Sequence, residues 1–164
     1  MSEDIADALQ AVDEKVRHLQ ARKKAMDLLA RREHAVAELR RKLLGKGFEA
    51  ATVERVLAEL QADGLLSDAR FTEAYVRYRR NSGHGPQRIQ QELRERGVSD
   101  ETQAAWLDFT DPQWLELVEQ TRRKRFGPAI PTDYKERARQ SRFLQYRGFT
   151  SEQIRRALGG ADFE

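Results

Sequence analysis

Arginine is the side chain with the most chemistry to offer in this sequence. Of 30 basic residues, 23 are arginine, and six of these (Arg77, Arg79, Arg80, Arg88, Arg94 and Arg96) crowd into residues 77–97 against Glu92 and Glu95. A planar guanidinium donates paired hydrogen bonds to carboxylate or phosphate oxygens. Such a stretch therefore suits an acidic protein or a phosphodiester backbone. Two further basic groups stand apart from it: Arg40, Arg41, Lys42 and Lys46, and the run Arg122, Arg123, Lys124, Arg125. Four consecutive helical residues point in all directions, so only one or two of the last run can meet any one partner. The competing reading is a set of solvated helix faces with pairs such as Glu92 to Arg96, and a GC-rich genome would give the same bias to arginine. The 77–96 cluster is the first choice because sequence neighbours compensate it least.

Other chemistries find little to work with. There is no cysteine, and His18, His34 and His84 are too far apart in sequence to show metal-ligand spacing. Gly83-His84-Gly85-Pro86 lacks the Gly-Lys-Ser/Thr ending and the preceding strand of a phosphate-cradling loop. No pair of carboxylates is singled out for acid–base work. The expectation is a binding protein, not an enzyme, with no cofactor and no metal. No apolar run approaches the roughly 20 residues of a membrane span, and the acidic start MSEDIADALQ is unlike a secretory signal. A cytoplasmic protein without a membrane partner is expected.

The elements that must carry these cations are helices, and they recur. Leu39-Arg40-Arg41-Lys42-Leu43 leads to Gly47, Ile89 to Arg96 leads to Gly97, and Arg139 to Arg147 leads to Gly148. The glycines are 50 and 51 positions apart. Leu43, Leu93 and Leu144 lie four positions before them; Lys46, Arg96 and Arg147 immediately precede them; Phe48, Val98 and Phe149 immediately follow. Leu57, Leu107 and Leu158 come ten positions after the glycines. Constant spacing of this kind marks an array of supersecondary units. Gly suits the left-handed residue that ends a helix, and the apolar residue after it can pack back onto the last turn. Ser99-Asp100 and Thr150-Ser151 cap the next helices, while Glu49-Ala50-Ala51-Thr52 caps less well.

A third helix precedes each pair: Ala25 to Arg32, Ser67 to about Asn81 with Phe71, Tyr75 and Tyr78 on one stripe, and Asp111-Pro112 to about Phe126. The fold class is all-α, an elongated array of three tandem three-helix repeats preceded by an N-terminal helix. The expected divisions are 1–24, an amphipathic helix; 25–63, 64–109 and 110–158, the repeats; and 159–164, a tail. The mean hydropathy of -0.80 favours thin repeat packing over a thick core. In 1–24, Ile5, Leu9, Val12, Val16 and Leu19 form a seam suited to another helix. It either folds onto the first repeat or serves as an arm for self-association or a partner. The helical spacing of Tyr75, Tyr78, Trp106, Trp114, Phe143 and Tyr146 assigns them to the core rather than to base stacking.

Here the sequence resembles a known family. LLARREHAVAELRRKLLGKGF (Leu28–Phe48), GLLSDARFTEAYVRYR (Gly64–Arg79), GPQRIQQELRERGV (Gly85–Val98), KRFG (Lys124–Gly127) and RQSRFLQYRGFTSEQIRRAL (Arg139–Leu158) look like the RecX family of bacterial regulatory proteins. Ala35 departs from that pattern, where a serine would cap the next helix, and residues 1–24 carry no strong family motif. The resemblance implies a negative modulator of the RecA recombinase. It implies binding along the groove of the RecA–DNA filament and hindering filament extension, ATP hydrolysis and strand exchange, with no cofactor of its own. The expected partner is that filament, contacted by a monomer, with weak contact to single- or double-stranded DNA left open. Two other functions stay open on the residues alone. One is direct nucleic-acid binding, helix-turn-helix-like about Gly47-Phe48; the other is a helical scaffold using the 1–24 seam.

Overall fold

The computed structural model describes residues 1–160, so of the expected 159–164 tail, residues 161–164 lie outside the described residues. Among the described residues the chain is all helix: α1 Ser2–Arg31, α2 Val36–Gly45, α3 Ala50–Ala62, α4 Asp68–Asn81, α5 Pro86–Glu95, α6 Asp100–Ala104, α7 Gln113–Phe126, α8 Tyr134–Arg147 and α9 Ser151–Ala157. The helix ends follow local chemistry. Ser99, Asp133 and Thr150 accept backbone N–H bonds from Thr102, Glu136 and Gln153 at 3.1–3.3 Å, each satisfying an orphan donor of the first turn. At the other end of α8, Gly148 takes φ +97. Phe149 N then reaches back to Leu144 O and Gly148 N to Gln145 O, the paired bonds of a Schellman turn. Phe149 is buried there, as its place after the glycine predicts.

The described residues form two compact units, Met1–Phe71 with Arg96–Val98, and Thr72–Glu95 with the residues from Ser99 to Gly160; the division falls within α4. In the first unit, Leu39 and Leu43 of α2 meet Val53, Val56, Leu57 and Leu60 of α3, closed by Ala21 and Ala25 of α1. Each buried leucine is worth about 1.5–3 kcal/mol over an exposed one. In the second unit the core holds Ile89 and Leu93 of α5, Trp114 and Val118 of α7, Leu144 of α8, and Phe149, Ile154 and Leu158 in and around α9.

Helix α1 is continuous through position 24, with no Gly or Pro between Ser2 and Arg31 to interrupt it. Its Ala21 and Ala25 are buried, while His18 and Arg22 reach Glu59 of α3, both at 3.1 Å. Residues 1–17 of α1 are exposed on every face, so nothing packs against the N-terminal half of the helix. Ile5, Leu9, Val12, Val16 and Leu19 are accordingly 45–65% exposed, and the seam does not fold onto the first repeat.

Ala35 has no side-chain acceptor, and the chain supplies one from elsewhere. Asp68 Oδ1 accepts from Val36 N at 2.8 Å, and Glu38 reaches back to Ala35 N at 3.4 Å. The cap missing at Ala35 is therefore provided from 32 positions downstream of Val36, by a residue that also opens α4. Arg70, two positions further along α4, binds Glu33 at 3.1 Å and Gly64 O at 2.6 Å.

Candidate partner-binding surface

The cations expected to form a surface divide sharply by what they touch. Arg122 is fully buried, and this corrects its place in the surface set. Its guanidinium donates to the carbonyls of Gly127, Pro128 and Ala129 at 3.1–3.5 Å, tying down the α7–α8 loop. The i, i+3/i+4 geometry of α7 turns it inward beside Trp114 and Val118. Lys42 is also drawn in. Its ammonium donates to Nε2 of buried His34 at 3.0 Å, while His34 Nδ1 donates to Arg32 O at 3.0 Å. Burial holds the His34 pKa below its ordinary value; the hydrogen bond to the Arg32 carbonyl opposes this, and the charges of Arg32 and Lys42 add to it.

The 77–96 cluster is compensated by tertiary neighbours, contrary to the sequence expectation. Glu92, on α5, receives the Tyr75 hydroxyl, Arg79 at 2.8 Å and Arg88 at 3.3 Å. Burial alone would raise the Glu92 carboxyl pKa. The hydrogen bonds from Tyr75 and Arg79 and the charges of Arg79 and Arg88 outweigh it and hold the pKa low. Arg80 lies over the Trp114 ring at 4.4 Å and reaches Gln113 at 2.9 Å and Asp111 at 3.7 Å. Arg88 also donates to Tyr146 O at 3.1 Å, with its guanidinium over the Tyr146 ring. Arg77 pairs with Glu73 and Arg94 with Asp100, both on the surface. Arg96 is half-buried. A local charge tally counts Glu92 once, whereas the packing of α4 against α5 lets it take Arg79 and Arg88 together; Glu73 and Asp100 lie just outside the stretch.

Arg40 is held by Glu54 at 2.6 Å and Arg123 by Glu119 at 3.0 Å. Exposed pairs of this kind contribute little, and a partner can displace them. Arg41, Lys46 and Lys124 face solvent with no partner among the described residues, and exposed Arg125 lies over Phe143 at 5.7 Å. Lys124 and Arg125 line an open cleft of about 430 Å³ together with Arg147, a cation that the sequence analysis placed only as a helix-end residue. Lys46 lines a second cleft of about 430 Å³ with Lys23 and Lys24, which it did not single out.

The aromatic residues correct another expectation. Trp114 is buried, its Nε1 donating to Asp108 O at 2.7 Å. Tyr75 and Phe143 are half-buried, while Tyr78, Trp106 and Tyr146 are exposed, Tyr146 to 73%. On α4 the buried arc runs through Phe71, Thr72 and Val76, which leaves Tyr78 at its edge. Among the described residues there is no group of three or more His, Cys, Asp or Glu side chains able to hold a metal, and no helix long and apolar enough to cross a membrane.

Fold and surface together define a helical-repeat protein that presents cations on the outer faces of its helices. Residues 21–60, 67–107 and 111–158 match the models of the first, second and third three-helix domains of RecX. The chain belongs to the RecX family of regulatory proteins. It is 46% identical over 143 residues to regulatory protein RecX of Pseudomonas tolaasii, covering 87% of this chain and 92% of that protein. It is also 46% identical over 138 residues to that of Halorhodospira halophila, covering 84% and 86%. Its fold is shared with the crystal structure of RecX from Lactobacillus salivarius, with TM-score 0.76 at 19% identity, covering 92% of this chain and 99% of that one.

Proposed function

We propose that this chain is a negative modulator of the RecA recombinase, one that binds the RecA–DNA filament and inhibits its extension, ATP hydrolysis and strand exchange. The observation that carries the reading is the match of three successive segments to the three domains of RecX, in order along the chain. In this reading the chain performs no catalysis and needs no cofactor, since ATP is hydrolysed by its partner. It acts in the cytoplasm as a monomer. Solvent-facing cations on successive repeats suit acidic groups on successive filament subunits, or the phosphates of the enclosed DNA. Several weak contacts along one chain combine into a tight one. Of the cations expected to make these contacts, Arg41, Lys46, Lys124 and Arg125 are the best placed, and Arg40, Arg77, Arg94 and Arg123 are available once their exposed partners are displaced.

The test is single-stranded-DNA-dependent ATP hydrolysis by RecA, with this protein added at substoichiometric ratios and binding to free DNA measured in the same buffer. The expected result is inhibition well below one-to-one, at concentrations where free DNA is scarcely bound. Unaffected turnover together with tight DNA binding would replace this reading with direct nucleic-acid binding, the alternative that the unpaired cations favour. The exposed α1 seam favours a third reading, a scaffold, which would show itself as a stable oligomer dependent on residues 5–19.

A further inference from the structure

Three cations recur at the same positions of the first and third repeats. Lys23 and Lys24 precede Lys46 by 23 and 22 positions, and Lys124 and Arg125 precede Arg147 by the same intervals. In both repeats the pair lies on the leading helix, α1 or α7, and the third cation stands directly before the left-handed glycine, Gly47 or Gly148. In both repeats the three line one open cleft of about 430 Å³. The second repeat has Glu73 and Ala74 at the corresponding distances before Arg96. An indiscriminate surplus of basic residues would not spare one copy and repeat the same three places in the other two.

The third-repeat cleft shows how the cations are held. Arg147 Nη1 donates to Ser82 O at 3.1 Å, at the C-terminal end of α4, where a cation suits the negative end of the helix. The guanidiniums of Arg147 and Arg125 both lie over the Phe143 ring, at 5.2 and 5.7 Å, contacts that orient them in advance. Gly83, at φ +80, brings the α4 turn against them: a Cβ there would stand 3.4 Å from Thr121 Oγ1 and 3.6 Å from Arg147 Nη1. Lys124 has no partner among the described residues, and no carboxylate lines this cleft. The first-repeat cleft includes one, Asp27.

We propose that these two clefts are phosphate-binding sites, each seating one backbone phosphate of a single nucleic-acid strand, with the third-repeat cleft the stronger. Two forked guanidiniums and an ammonium line the third-repeat cleft and three ammoniums line the first-repeat cleft, and cations gathered in this way suit a cluster of phosphate oxygens. An acidic peptide would need a socket for an apolar anchor, and the Phe143 ring that could serve as one is covered by two guanidiniums. The assignment narrows the basic surface to two places and does not depend on the recombinase reading, because its test contains no RecA.

That test is fluorescence anisotropy of labelled oligothymidylate with the full chain, titrated between about 50 and about 200 mM salt. Each phosphate contact on a single strand contributes about 0.7 to the slope of log affinity against log salt. Lys124→Gln with Arg125→Gln should flatten the slope by about 0.7, and adding Lys23→Gln with Lys24→Gln should bring the loss to about 1.4. Arg55→Gln with Lys135→Gln removes the same charge from exposed positions outside both clefts and should leave the slope unchanged. Equal flattening by that control pair would overturn the proposal, as would failure of the unsubstituted protein to bind the strand at the lowest salt. Poly-glutamate bound as tightly, with the same loss in the cleft variants, would overturn the assignment to phosphate.

Discussion

Alanine at Gly47 and alanine at Gly148 make one chemical change at equivalent positions of two repeats, yet the structure requires unequal costs. Both glycines have positive φ, +90 and +97, where a side chain is disfavoured by about 1–2 kcal/mol. Around Gly47 nothing stands within 4 Å of a built Cβ, so that conformational penalty is the whole cost. A Cβ at Gly148 would collide with Arg88 Cβ and stand 2.7 Å from Arg88 N, which is backbone and cannot swing aside. The start of α5 would have to retreat, breaking the bonds Gly85 N to Arg147 O at 2.8 Å and Gln87 N to Gly148 O at 2.9 Å. At about 1 kcal/mol net for each bond, Gly148→Ala should lose about 3–4 kcal/mol in total, against about 1–2 kcal/mol for Gly47→Ala. Urea unfolding followed by circular dichroism measures both, with stability compared at a common slope. Losses equal to within about 0.5 kcal/mol would refute the argument that the turn before α9 is locked by α5.

Three further outcomes follow from the same contacts. Arg122→Ala should destabilise by about 3 kcal/mol or more, because three loop carbonyls lose a charged donor in a buried place; Lys124→Gln, on the same helix, should change stability by less than about 0.5 kcal/mol, and thermal unfolding compares the two. Asp68→Ala should cost about 1 kcal/mol, the usual price of a helix cap, although Asp68 lies far in sequence from the helix it caps; an unchanged urea midpoint would show that Val36 N is satisfied without it. Burial is the first cause holding both His34 and His84 below their ordinary value of 6.5, joined for His34 by the charges of Arg32 and Lys42, against the Arg32 carbonyl, and for His84 by Arg79, Arg147 and Arg88. A histidine depressed in the folded state binds its proton more readily when unfolded, so its contribution is full above pH 6.5 and is lost as pH falls below it. Stability should therefore decline from pH 7 to about pH 5.5, above the range of the carboxylates, and His34→Gln with His84→Gln should flatten that decline.

Much of the fold was legible in the sequence because helix ends are local events. A left-handed glycine, the apolar residue after it and a Ser or Thr two positions further on act within a few bonds of one another. Gly148-Phe149-Thr150 accordingly ends α8 and begins α9 as read. Ala35 shows where such reading stops. The sequence there announces only a missing cap, and the replacement comes from Asp68, whose approach depends on the tertiary fold of the first unit.

The candidate surface was legible as a population of cations and not as a set of contacts. Sequence alone determined that the chain is a run of three similar helical units, rich in arginine, whose middle helices end at Gly47, Gly97 and Gly148. It also carried the interval that places Lys23 and Lys24 with Lys46, and Lys124 and Arg125 with Arg147. Tertiary structure decided which charges remain available: it sank Arg122 beneath the α7–α8 loop, tied Lys42 to His34, and gathered Arg79 and Arg88 on Glu92. The physical reason is range. Backbone conformation is set by neighbours along the chain, whereas a charge is exposed or compensated according to which distant carboxylate, carbonyl or ring the packing of helices brings beside it.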